Sequence, residues 1–107
     1  MTYYLTLIPS SLSVRRGEPL NVLLLARSKG EDCRHEFRFW VRGETDPAGG
    51  WRLALCETKP LRAGHNEHLY FQIPAGAFAG EEECTLCAGD APPVRDNKLC
   101  HLIAVTG

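Results

Sequence analysis

The segment HEFRFWVR, His35 to Arg42, alternates in side-chain character residue by residue, and no other feature narrows the fold of this chain as much. Successive side chains of an extended strand point to opposite faces, so Phe37, Phe39 and Val41 fall on one face and Glu36, Arg38, Trp40 and Arg42 on the other. The first set reads as a core face. No window of helical length carries apolar residues at i, i+3, i+4 and i+7, whereas short alternating runs recur between Gly and Pro breaks. The chain therefore reads as all-β.

Tyr3 to Ile8 (YYLTLI) is the first expected strand, ended by Pro9; Ser11 to Val14 resumes it on another sheet edge, before the turn RRGEP. Leu20 to Ala26 is nearly all apolar, as expected of a central strand or one covered on both faces. In WRLALC, Trp51, Leu53 and Leu55 are assigned to the core and Arg52, Ala54 and Cys56 to the outside, followed by a polar loop with a short edge segment near Leu61. His68 to Ile73 turns Leu69, Phe71 and Ile73 inward and His68, Tyr70 and Gln72 outward. Pro74 starts one helical turn that carries Phe78 inward. Glu83 to Ala88 and Leu99 to Val105 form a final hairpin around a loop containing Pro92 and Pro93. About seven strands with turn signals between them predict one domain over residues 1–107, an immunoglobulin-like antiparallel two-sheet sandwich.

A chain of 107 residues has room for one core. Twelve Lys and Arg against thirteen Asp and Glu leave a net charge of -1, so no overall field favours nucleic acid or an anionic membrane, and neither is an expected partner. The apolar runs are far shorter than the ~20 residues that span a bilayer. The start MTYYLTLIPSSL lacks the pattern of a signal peptide. The expected location is the cytoplasm for a complete gene product and extracellular for an excised domain. Five cysteines, an odd number, leave at least one unpaired in the monomer. Reduced, core-packed thiols compete with a secreted domain holding two disulfides and a spare.

The segments SLSVRRGEPLNVLLLA and HLYFQIPAGAF resemble the immunoglobulin-like sandwiches of macroglobulin-like domains in complement and alpha-macroglobulin proteins. The VRRGEP turn is also similar to one in the N-terminal sandwich of transglutaminases. The resemblance implies a non-catalytic module that packs against neighbours.

Cys84, Cys87, Cys100 and His101 are the candidate zinc ligands, since Cys84 and Cys87 have a metal-binding spacing. Strand parity argues against convergence: it separates Cys84 from Cys87 and Cys100 from His101. A redox CxxC would need a helix N-terminus that the sequence does not offer. Cys84 and Cys100 are left as candidates to meet across the final hairpin. Cys33 with His35, and Cys56 with His65 or His68, could pair a nucleophile with a base, but no oxyanion turn accompanies them, and no enzyme activity or cofactor is expected.

The Glu36, Arg38, Trp40, Arg42 face is the expected contact surface, joined by Tyr70 and Gln72 if their strands share a sheet. Trp and Arg bury much area and keep directional donors, which suits a protein partner or a homo-oligomer. The competing reading covers Trp40 with a neighbouring loop. A third reading uses Trp40 and Tyr70 as rings on which a carbohydrate stacks.

Overall fold

The computed structural model describes residues 1–107 and consists of eight strands and one short 3-10 turn. The strands are β1 (Thr2–Pro9), β2 (Ser13–Arg15), β3 (Leu20–Ser28), β4 (Cys33–Gly43), β5 (Arg52–Leu61), β6 (Asn66–Ile73), β7 (Glu83–Ala88) and β8 (Cys100–Thr106); the turn spans Ala75–Phe78 between β6 and β7. They form a three-stranded sheet, ordered β1-β3-β6, facing a five-stranded sheet, ordered β2-β8-β7-β4-β5. The expected sandwich is thus present.

The eighth strand is β2, where the N-terminal segment leaves the first sheet and joins the second. It pairs with β8 in parallel, so one pairing departs from the all-antiparallel expectation. Pro9 cannot donate to a ladder, and the change of sheet follows it within the exposed Ser10, Ser11 and Leu12.

The core lies between the sheets. Phe37, Phe39 and Val41 are fully buried, as are Leu86 and Ile103 from the same sheet and Leu24 and Ile73 from the facing one. The Phe71 ring tilts against Phe39, with centroids 4.8 Å apart, and against Phe37 at 5.6 Å. Phe78, carried inward by the 3-10 turn, closes one end.

The expectation for Trp51 and Leu53 is overturned by a bulge. Phe39 pairs with Leu55 but Trp40 pairs with Leu53, so Ala54 is an extra residue on β5. Beyond it the alternation reverses: Leu55 still packs on the core, whereas Leu53 lies outside beside Trp40, 50% exposed. Trp51, next outward, lies beneath the Arg42 guanidinium. The strand also runs on to Leu61 where a polar loop was expected. Its polar residues Glu57 to Lys59 and Pro60 are tolerated because β5 is a sheet edge.

β3 is central, as its apolar run predicts, but only one of its faces is covered. Val22, Leu24 and Ala26 enter the core, while Leu23 and Leu25 are half-buried on the outside of the three-stranded sheet.

Candidate functional site

The outer face of the five-stranded sheet is built by cross-strand pairing, because residues directly opposed on adjacent strands share a face. One row across the sheet runs Leu53, Trp40, Cys87, Cys100, from β5 through β4 and β7 to β8. The next row carries Arg42, Thr85 and Leu102, with Trp51 against Arg42. The first row is apolar over four strands, with Trp40 near its centre and Cys87 itself buried, and Leu102 extends it from the second row.

Trp40 is half-buried. Its indole Nε1 donates to the Gly89 carbonyl at 2.9 Å, which fixes the ring and satisfies its only donor. Cys87 and Cys100 form a disulfide beside the ring, joining directly paired residues whose Cα atoms are 4.1 Å apart. This corrects two expectations at once: five reduced thiols become one bridge and three thiols, and Cys100 meets Cys87 rather than Cys84. Parity is the reason. Cys84 points into the core, while Cys87 and Cys100 both point outward.

The rim is charged. Arg38 forms an ion pair with Glu36 on the same face, and its Nη1 donates to the Asp90 carbonyl at 3.5 Å. Arg42 stacks over Trp51 with its guanidinium carbon 5.1 Å from the ring centroid. Its Nε is buried without a hydrogen-bond partner, so the cation is held mainly by the ring face. Cys56 is opposite Arg38 and exposed; a hydrogen bond with Glu36 pushes its thiol pKa up, away from reactive thiolate.

Tyr70 and Gln72 do not join this surface. They lie on β6, on the outer face of the other sheet, so Trp40 and Tyr70 cannot form one stacking platform.

The zinc candidates are separated in space. Cys84 and His101 face inward, and the other two are consumed by the disulfide. Burial pushes the Cys84 thiol up to about 11. His101 Nε2 donates to the Leu7 carbonyl at 2.6 Å, which ties β8 to β1 across the sandwich.

Neither Cys–His pairing forms a nucleophile–base couple. Cys33 Sγ bonds instead to Ser28 Oγ at 3.5 Å, with Thr2 Oγ1 at 3.9 Å. Cys56 faces outward on one sheet, while His68 lies on a strand of the other and His65 precedes that strand. His35 engages Asp90, with Nε2 2.9 Å from Oδ1, and Tyr4 Oη donates to the same oxygen at 2.7 Å. Burial first, and then the bond to Asp90, raise the Tyr4 phenol pKa. This Tyr4–His35–Asp90 clamp joins both sheets to the β7–β8 loop. The sequence gives no sign of it, since Asp90 sits in a proline-containing loop distant from both partners.

No family model matches the sequence, and no curated protein matches it. Solved structures with a similar fold include a β-glucosidase from Erythrobacter marinus, at a TM-score of 0.76 and 16% identity over 99% of this chain and 15% of that one. The Listeria innocua β-glucosidase bound to glucose gives 0.70 and 16%, over 99% of this chain and 16% of that chain. The Bifidobacterium adolescentis GH3 β-glucosidase gives 0.68 and 16%, over 98% and 17%. The chain thus spans about a sixth of the length of these enzymes. At such identities the likeness is one of fold.

Proposed function

We propose that this domain is a non-catalytic, immunoglobulin-like interaction module that docks a protein partner on the outer face of its five-stranded sheet. The observation that carries the reading is the stripe Leu53, Trp40, Cys87–Cys100, Leu102, with Trp51 and arginines at its margin. A fixed aromatic ring between apolar neighbours and charged rim residues has the composition of a binding hot spot. The layers β1-β3-β6 and β8-β7-β4-β5 support the immunoglobulin-like description, as does the resemblance of the strand-leading motifs to macroglobulin-like domains.

The partner is a different protein with carboxylates around an apolar patch. Arg34, Arg38 and Arg42 all lie on the outer face of β4 against the single Glu36, so a two-fold pairing of copies would oppose like charges. The disulfide supports residence in an oxidising compartment, in place of the cytoplasmic expectation. No helix is long and apolar enough to cross a membrane.

Leu53→Asp and Leu102→Asp test this reading, since both side chains are half-exposed and their loss spares the core. Each variant should keep its melting temperature within a few degrees and drop out of the native assembly on size exclusion. Retention of both variants in that assembly counts against the reading. So does an isolated chain that dimerises and becomes monomeric on Leu53→Asp, which would make the partner a second copy.

A second reading is favoured by the fold likeness to β-glucosidases: the domain belongs to a carbohydrate-active assembly. It concerns the opposite face.

A further inference from the structure

The outer face of the three-stranded sheet differs in kind from the Trp40 face. Cross-strand pairing sets Ile8, Leu23 and Tyr70 in one row, with Tyr70 71% exposed and Ile8 48% exposed. Leu23 and Leu25 give this face an apolar floor that nothing in the chain covers fully.

A pair of hydrogen-bonded polar side chains stands at each end of that floor. At one end Gln72 Nε2 donates to Asn21 Oδ1 at 3.3 Å. At the other, Arg27 Nη1 donates to Asn66 Oδ1 at 3.0 Å. Both bonds occupy the Asn carbonyl and leave the Asn amide donors free, and Gln72 keeps its own carbonyl as an acceptor. Asn21 and Arg27 are six residues apart on β3, roughly 20 Å at strand rise. No Asp or Glu side chain projects from this face, because Glu67, the only acid on these strands, pairs with the inward Ala26.

We propose that this face binds an extended, neutral oligosaccharide. The C–H face of a pyranose ring stacks on Tyr70, and equatorial hydroxyls reach Asn21 and Gln72 at one end and Asn66 at the other. Sugar hydroxyls both donate and accept, so they satisfy free amide donors and the Gln72 carbonyl alike. A second copy would oppose identical groups with no charge of opposite sign, and a single guanidinium at one end of the floor, Arg27, is not the cluster of cations that selects an anionic ligand. The assignment gives a ligand class and a site to the second reading above, on which it rests, and is independent of docking at Trp40.

Titration of the ¹⁵N-labelled chain with cellohexaose, and in parallel with laminarihexaose, tests it. At least one hexaose should shift the backbone amides of Asn21, Tyr70 and Gln72. Tyr70→Ala, a change at an exposed side chain, should weaken that binding about tenfold, whereas Trp40→Phe should leave it unchanged. Binding that depends on Trp40 and not on Tyr70 overturns the site while the carbohydrate reading survives. Absence of shifts with either hexaose at millimolar concentration overturns both, and a Tyr70-dependent dimer in sedimentation overturns the proposed ligand.

Discussion

Trp40 has an apolar ring that water disfavours and one N–H that must not be left unpaired, and its surroundings answer each need separately. Leu53 and the disulfide flank the ring, while Gly89 accepts the N–H. Trp40→Phe should therefore cost about 1 kcal/mol in denaturant unfolding, the scale of one hydrogen bond. A similar cost, again about 1 kcal/mol, is expected for Tyr4→Phe, which removes the donor to Asp90. Cys56 shows how exposure and reactivity separate: it is open to solvent, yet its hydrogen bond to Glu36 favours the neutral thiol. Alkylation of Cys56 by iodoacetamide at pH 7 should run slower than that of an unstructured cysteine peptide, and Glu36→Gln should speed it. An unchanged rate in the variant would show that the carboxylate has no hold on the thiol.

Among the elements, the final hairpin joins most of the molecule's parts. Its loop delivers Gly89 to Trp40 and Asp90 to Tyr4 and His35, and its strands are bridged at Cys87 and Cys100. The bridge closes a loop with a sequence separation of 13, so replacing both cysteines by alanine should cost about 2–4 kcal/mol. The loss should appear in chemical denaturation without reductant and vanish when both proteins are compared fully reduced. A second prediction belongs to the strand ends. Glu83, which opens β7, hydrogen-bonds Glu44 just beyond β4, and that bond with the like charge beside it raises the Glu83 pKa. A raised folded-state pKa contributes stability that is fully present below the ordinary Glu range and is lost as pH rises through the folded value. Glu83→Gln should accordingly raise the melting temperature at pH 7 and make no difference below about pH 3, where the carboxyl is protonated in both states. Beside this pair, a Cβ on Gly43 would meet the Glu81 carboxylate, the end of a flexible side chain that would have to swing aside.

At the scale of the whole molecule, two sheets with one core were legible because alternation reports face directly. Phe37, Phe39 and Val41 on β4, and Phe71 and Ile73 on β6, are buried as their spacing requires. Alternation does not report which strands share a sheet, so Trp40 and Tyr70 looked as though they could be neighbours and stand on opposite outer faces. Nor does it survive a bulge: the extra Ala54 reversed the faces of Leu53 and Trp51 and brought an apolar stripe to the surface that the sequence had placed in the core. The Asp90 clamp was hidden because it depends on where a loop returns. The domain that results has two unlike outer faces. One is a Trp-centred stripe rimmed by arginine, the other an apolar floor between amide and guanidinium pairs. The central claim is that the first of these is a protein-docking face. Hydroxyl-radical footprinting of the purified chain and of the same chain in its native assembly tests it most directly: oxidation of Trp40, Leu53 and Leu102 should fall several-fold in the assembly, and equal oxidation of these side chains in both samples would contradict the claim.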